Sequence, residues 1–565
     1  MSSAAKTSNL IPFTVYLAFP AIAPYNTGSC CISTNRSTLP YDQVGLNQYR
    51  ITFQQENTLT VPAGTRLDNA AAQAGYALRT HCGGAGTCGK CQVIVQQQKI
   101  LACQTVVESD LDVIVPQTSL REDEQEVVVQ VDNFFHTKAQ RHGEDKREAD
   151  KSSVPPCLCV RNNEEGYGIA LDIGTTTLAA ELHDFSGILP MQIASRANPQ
   201  RQFGDDVITR IQKIMEDETA LTAMQQLIIE SINGMITELT GKMGITPQDV
   251  STMIASGNTV MQSLLFGIDP SSLGASPFHA PVQNFPPRQA SEIGLTTSGT
   301  VEAFPIFGGF VGGDIVAGVL SLLASAVCRR PSFFLDIGTN GEIVLAHRGK
   351  LFTAATAAGP AFEGARIEYG TLAVPGAIEH VDVESGKIVV STIAHRPPIG
   401  ICGSGLIDAV AVLLEQGMIL PSGRFADRGS HFELVSAAES GIGKAIVLTQ
   451  RDIRELQLAS GAIRAGITLL LQENDVLPEE IETFYVAGGF GQSIRTSSAR
   501  RIGLLPFLPS ERFQFCGNTS LAGARRMLFD PDSSDITCRL VKQSQHCELA
   551  SLPRFQEVFA ESLRW

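Results

Sequence analysis

No stretch of this 565-residue chain carries the roughly 18–20 consecutive apolar residues needed to span a bilayer, so no membrane-spanning helix is expected. Positive charge is short as well: 43 Lys and Arg against 58 Asp and Glu leave a formal net charge of −15. Nucleic-acid binding needs a cationic face against phosphate, and no basic patch stands out, which argues against that class. Cysteine is too sparse for a small disulfide scaffold. The 13 cysteines, four grouped and the others scattered, fit reduced thiols in a cytoplasmic protein. With 43% hydrophobic and 18% charged residues the chain reads as globular, and its length asks for two to four domains.

One apolar stretch stands apart. LIPFTVYLAFPAIAP, residues 10–24, follows Lys6 and contains Ala21-Ile22-Ala23, the outline of a weak secretory signal. Two prolines interrupt it and Pro24 would sit directly after the cut, so an irregular N-terminal tail over 1–47 is the favoured reading.

HCGGAGTCGKC, residues 81–91, nearly spells the phosphate loop G-x-x-x-x-G-K-[ST] from Gly84 onward. A phosphate loop follows a strand and opens a helix. Here the order is reversed: TRLDNAAAQAGYAL reads as a helix, with Thr65 and Asp68 spaced like a capping box, and CQVIVQ alternates like a strand. Cys91 also stands where Mg²⁺ would want a hydroxyl. The metal reading fits better. Cys82, Cys88, Cys91 and Cys103 supply four thiolates, and Gly83, Gly84, Gly86 and Gly89 let the loop wrap tightly and aim amides at sulfide. Upstream, YRITF and NTLTVPAG read as a hairpin.

Strand, strand, helix, cysteine loop, strand resembles the β-grasp [2Fe–2S] ferredoxin family over residues 48–117. Five residues separate the first two cysteines, as in adrenodoxin-like members, where the plant type has four. Zinc is the rival occupant, but zinc ribbons usually pair two C-x2-C knuckles and only one is present. His81 reads as a loop residue.

Further along, GIALDIGTTTLAAEL and SFFLDIGTNGEIVLA share Leu-Asp-Ile-Gly-Thr, with Asp172 and Asp336 in matching positions. Each pairs two apolar runs across a small polar turn and so reads as a β-hairpin; the repetition predicts duplicated lobes facing one another. Backbone amides and threonine hydroxyls in such turns suit phosphate, and the aspartates offer hard oxygens to Mg²⁺ or its waters. FYVAGGFGQSI adds a strand running into Gly488, Gly489 and Gly491.

Asp172-Ile-Gly-Thr-Thr, Asp336-Ile-Gly-Thr-Asn and Ala487-Gly-Gly-Phe-Gly resemble the phosphate-1, phosphate-2 and adenosine motifs of the acetate and sugar kinase, Hsp70 and actin superfamily, over about residues 166–545. The resemblance implies phosphate and nucleotide contacts from Gly174, Thr175, Thr176, Gly338, Thr339, Asn340, Gly488, Gly489 and Gly491. It also implies catalytic roles for Asp172, Asp314 and Asp336. ASGNTVMQSLLFG sits where that superfamily places a connecting segment.

A ferredoxin joined to this ATPase fold resembles one family in particular, the ATP-dependent reductive activators of corrinoid proteins. GGFVGGDIVAG, GICGSGLIDAV and CGNTSLAGA support the likeness. The resemblance implies α+β and α/β architecture, a β-grasp domain followed by a duplicated, RNase H-like two-lobed ATPase. It implies a [2Fe–2S] cluster and Mg-ATP as cofactors, and a corrinoid protein, a low-potential electron donor and a second copy of the chain as partners. The activity implied is one-electron reduction of Co(II) to Co(I). Activators of acyl-CoA dehydratases share the ATPase fold but lack a ferredoxin domain of this kind.

The expected organisation is a tail to 47, ferredoxin 48–117, charged linker 118–165, lobes 166–330 and 331–545, and a C-terminal tail 546–565. Relatives carry a longer, partly folded linker; here only EVVVQV looks strand-like, and a flexible chain of that length reaches about 35–40 Å. Asp314 suits either a water or Mg²⁺ site or a helix N-cap, and Glu363 either a nucleotide contact or a structural bond. Cys402 reads as a packing residue at a turn, GVLSLLASAV as a buried helix, and Cys157-x-Cys159 as weak evidence for a second metal or redox pair. Two other functions remain open from the residues alone: a redox-sensing small-molecule kinase, and a regulatory or electron-transfer partner that binds ATP without hydrolysing it.

Overall fold

A computed structural model describes residues 48–54, 57–74, 76, 78, 91–96, 98–116, 119, 166–187, 190–275, 278–323, 330–488 and 493–565. The signal-like stretch at 10–24, Cys82, Cys88, Cys157, Cys159, nearly all of 118–165, Gly489 and Gly491 lie outside the described residues.

The first folded region contains β1 (Gln48–Phe53), β2 (Asn57–Pro62), α1 (Leu67–Gln73), β3 (Gln92–Val95), β4 (Gln98–Leu101) and β5 (Leu111–Ile114), in the sheet order β2-β1-β5-β3-β4. β1 runs antiparallel to β2 as the hairpin reading expects, and parallel to β5, pairing Ile51 with Leu111. Period-two alternation sends Ile51 and Phe53 inward with Val93 and Val113, against Leu67, Ala70 and Ala71 of the helix.

The capping box does not form. Thr65 donates its hydroxyl to the Pro62 carbonyl at 2.8 Å, while Asp68 takes the Arg66 guanidinium at 2.6 Å. The cause is register. Arg66 bridges Val106 as a strand residue, so the helix starts at Leu67 and Asp68 falls one position short of the third helical residue. The helix also ends at Gln73, before the GYAL segment that the pattern extends it through.

The next region begins with β6 (Tyr167–Ile173), β7 (Thr177–Asp184) and β8 (Gln192–Ala197), followed by α2 (Val207–Glu216), α3 (Ala220–Met243), β9 (Val250–Gly257), α4 (Thr259–Leu265), β10 (Arg288–Gln289), β11 (Thr300–Ala303) and α5 (Gly313–Leu323). A second series opens with β12 (Ser332–Ile337), β13 (Gly341–His347) and β14 (Lys350–Thr356). It continues through β15 (Ala377–Glu384), β16 (Lys387–Thr392), β17 (Gly400–Ile401), α6 (Gly403–Glu415), β18 (His431–Val435), β19 (Ile446–Thr449) and α7 (Gln450–Gln472). It closes with β20 (Thr483–Ala487), α8 (Thr496–Arg501), β21 (Phe513–Gly517), α9 (Thr519–Phe529), α10 (Ser533–Lys542), β22 (Ser544–His546) and α11 (Phe555–Ser562).

The duplication is visible in the sheets. One is ordered β10-β11-β9-β6-β7-β8 and the other β21-β20-β12-β13-β14-β22. Each has an antiparallel hairpin whose first strand is flanked by parallel strands: β9 beside β6, and β20 beside β12. Asp172 thereby lies level with Ser256, and Asp336 level with Ala487.

Two helices join the lobes. α5, the apolar helix expected from GVLSLLASAV, and α9 share a core containing Ala170 and Ile254 of one sheet with Phe334 and Val344 of the other. Gly523 permits this, because a Cβ there would stand 2.2 Å from the Ala317 carbonyl oxygen. No described helix is long and apolar enough to cross a membrane. Residues 546–565, expected as a tail, fold instead: Gln457 bonds the Leu563 carbonyl at 2.8 Å, and the Trp565 amide bonds Pro421 at 3.0 Å.

Candidate active site

Both repeated turns open into one cavity of about 260 Å³, lined by Asp172, Gly174, Thr175, Thr176, Asp314, Asp336, Gly338, Thr339, Asn340 and Gly488. Residues from three separated motifs thus meet, as the repeat reading expects.

The first turn is braced from behind. Asn198 donates to the Gly174 carbonyl at 2.8 Å, Asn258 to the Thr175 hydroxyl at 2.9 Å, and Arg210 to the Thr175 carbonyl at 2.5 Å. Arg210 is fully buried, and burial pulls its guanidinium down to about 9. In the second turn Gly338 closes onto the Asn340 carbonyl at 2.9 Å. Gly488 ends its strand with φ 111°, where a Cβ would stand 2.2 Å from the Ile337 carbonyl oxygen, so only glycine brings this backbone to the cavity wall.

The carboxylates are crowded. Asp172 accepts from Asn518 at 2.7 Å and from Ser520 at 2.6 Å; burial still raises it above the ordinary aspartate range. Burial, with the charges of Asp314 and Asp172 beside it, pushes Asp336 up to about 8. Asp314 goes to about 7 through burial and repulsion from Asp172. Glu342 is driven well above the glutamate range by burial and by Asp314 and Asp336. No lysine or arginine bonds Asp172, Asp314 or Asp336 among the described residues, and their hard oxygens suit a divalent cation. The N-cap alternative for Asp314 is set aside, because α5 begins at Gly313 and Asp314 is already helical.

Several site groups escape the repeat as first read. Glu363 accepts a hydroxyl from each turn, Thr176 and Thr339, both at 2.8 Å. Asn258 and Asn518 play twin parts: each caps a helix through Oδ1, bonding Met261 and Leu521, and each turns its amide nitrogen into the cleft. The signal was present, since Gly-Asn-Thr occurs at 257–259 and again at 517–519, each at the end of a strand. Cys402 packs as expected; it is buried and its thiol donates to the Ile378 carbonyl at 3.2 Å.

In the β-grasp region, Gln92 pairs with Leu101, so Cys91, just before β3, and Cys103, in the 3-10 turn after β4, flank the open end of that hairpin. Both are buried thiols, 1% and 2% exposed. The nearby Arg66 guanidinium is raised, chiefly by its hydrogen bond to Asp68. Two of the four expected ligands are therefore placed in a core rather than at the surface, as buried thiolates for iron would be.

The family model described as the C-terminal domain of RACo, the ASKHA domain, matches residues 330–565; the RACo middle region matches 167–324; the 2Fe-2S iron-sulfur cluster binding domain matches 51–110. The corrinoid activation enzyme RamQ of Eubacterium limosum is 34% identical over 413 residues, 70% of this chain and 69% of that protein. The chain belongs to the family of reductive activators of corrinoid proteins. The [Co(II) methylated amine-specific corrinoid protein] reductase of Methanosarcina barkeri is 26% identical, covering 70% of this activator and 76% of its own length. A solved structure described as the reductive activator for corrinoid,iron-sulfur protein aligns at TM-score 0.65 and 30% identity, over 91% of this chain and 98% of that one. The activator's cofactors are a [2Fe–2S] cluster and ATP with Mg²⁺.

Proposed function

We propose that this chain carries out ATP-dependent reductive activation of a corrinoid protein, returning Co(II) to Co(I) by one electron. The observation that carries the reading is the coexistence, in one polypeptide, of a β-grasp cysteine site and a twin-turn cleft whose carboxylates call for a cation.

A [2Fe–2S] cluster held by Cys82, Cys88, Cys91 and Cys103 supplies a one-electron donor. Cys91 and Cys103 contribute buried thiolates, and the Arg66 guanidinium offsets part of their negative charge. In the cleft, the amides and hydroxyls of Thr175, Thr176, Thr339 and Asn340 hold the β- and γ-phosphates, and Gly488, with Gly489 and Gly491, takes the adenosine. Asp172, Asp314 and Asp336 receive Mg²⁺ or its waters, which lifts the mutual repulsion of their charges.

Nucleotide does not raise the energy of an electron. It biases an equilibrium between conformations, and a protein partner bound to one of them is reshaped in turn. The activator grips the Co(II) protein and withdraws an axial ligand, which makes the metal easier to reduce; hydrolysis then releases the complex. A low-potential electron donor refills the activator, which works in the cytoplasm as a homodimer. The test is direct: reduced activator with a Co(II) corrinoid protein gives Co(I) absorption with Mg-ATP and none without it. Equal yield lacking nucleotide rejects the coupling.

A further inference from the structure

Glu363 belongs to the second lobe, where it ends the 3-10 turn Pro360–Glu363 behind the buried Phe362. Its carboxylate nevertheless serves both lobes. Oε2 accepts from Thr176 and Oε1 from Thr339, each at 2.8 Å, and the side chain lines the cavity between the two turns. The turn that carries it is seated on the core: a Cβ on Gly403, at the start of α6, would stand 2.1 Å from the Phe362 carbonyl oxygen. Glu363 therefore approaches from a fixed base and spans the cleft with its side chain alone.

Those two hydroxyls are the ones a triphosphate would use. A carboxylate and a phosphoryl group make the same demand, two acceptor oxygens for a pair of converging donors. They do not share such a pair well, because two anions side by side in a partly dry cleft repel. The site is dry at this point, since burial raises Glu363 above the glutamate range despite the two hydroxyls it accepts.

We propose that Glu363 is a latch in competition with the terminal phosphate: without nucleotide it ties Thr176 to Thr339, and a triphosphate takes both hydroxyls from it. The inference rests on the cleft being the ATP site. A diphosphate lacks the terminal group that reaches between the two turns, and its β-phosphate is held by the turn amides with the carboxylate still on both hydroxyls, so it binds with the latch closed. Glu363 is thus a positioning residue that sets the discrimination between ATP and ADP.

The experiment titrates the full-length protein with Mg-ADP and with a Mg-bound non-hydrolysable ATP analogue, comparing wild type, Glu363→Ala and Glu363→Gln. Removing the carboxylate should tighten analogue binding about tenfold, about 1.4 kcal/mol, and leave ADP affinity unchanged. Glu363→Gln, uncharged but still able to accept one hydroxyl, should gain less than Glu363→Ala. Both variants should melt at lower temperature than wild type when nucleotide-free. Analogue affinity that is unchanged or weaker in a cooperatively melting variant overturns the latch. If the alanine variant does not fold, the glutamine variant decides on the same terms. Wild-type protein that binds neither nucleotide rejects the ATP-site reading itself, a different result from either.

Discussion

Asn518 donates its side-chain amide at 2.7 Å to Asp172, a residue of the other lobe that lies 346 positions earlier in the chain. Its Oδ1 caps α9 through the Leu521 amide at 2.8 Å, so one side chain fixes a lobe-joining helix and a cleft carboxylate together. Nucleotide that engages Asp172 therefore has a mechanical route to α9 and to the packing between lobes.

Asn518→Ala should cost about 1.5–3 kcal/mol, as expected for a hydrogen bond to a charged acceptor with a helix cap lost besides. Nucleotide affinity should fall as well, because Asp172 keeps only the Ser520 contact. Urea unfolding and nucleotide titration measure both. Stability and affinity equal to wild type would show the bond to be idle.

Stability without nucleotide should depend on pH in a defined sense. Asp336 titrates at about 8 and Asp314 at about 7 in the folded chain. Below about pH 4 both are protonated in folded and unfolded states alike and neither matters. Above that, up to about pH 8, the unfolded chain releases protons that the folded chain retains, so stability declines as pH rises. Denaturant midpoints at about pH 5.5 and about pH 8 should differ in that direction. Mg-nucleotide should restore the loss at the higher pH, and Asp336→Asn should flatten the slope. A slope of opposite sign is inconsistent with the crowded carboxylates.

Asp336→Asn should also slow ATP hydrolysis by about 10²–10³-fold, the usual consequence of removing an electrostatic contributor to a transition state. The iron–sulfur absorption should be untouched. Cys103→Ser should give the reverse pattern: cluster absorption and Co(I) formation lost, nucleotide binding kept. Electron delivery at the normal rate by Cys103→Ser protein would remove the ferredoxin domain from this step.

Gly523→Ala sets two effects against each other. Alanine gains about 1 kcal/mol of helix propensity over glycine. The added methyl, however, meets backbone rather than a movable side chain, 2.2 Å from the Ala317 carbonyl oxygen. Overpacking of about 1–3 kcal/mol should prevail, and thermal melting should shift downward. A rise would mean that α5 and α9 can part cheaply.

Much of this molecule is readable without coordinates. The doubled Leu-Asp-Ile-Gly-Thr marks two hairpins because period-two apolar runs around a small turn have few other solutions, and the alternation of CQVIVQ marks the strand that follows Cys91. What escapes depends on distant parts of the chain. Glu363 could not be chosen over a merely structural glutamate, because its role comes from two threonines brought together only when the lobes pack. The Thr65–Asp68 capping box fails for a similar reason: pairing of Arg66 with Val106 claims the backbone that the local pattern assigns to the cap. The second Gly-Asn-Thr repeat was legible in the letters; its target, Asp172 in the opposite lobe, was not.

The lobe-joining α9 also sets an order of assembly during synthesis. β6 and β9 have emerged from the ribosome long before residues 519–529, so the part of their sheet's apolar face that α9 covers beside α5 waits open while the rest of the nascent chain is made. Expressed alone, without that late segment, the earlier lobe exposes apolar surface that α9 buries in the full chain, and it should behave as an aggregation-prone fragment.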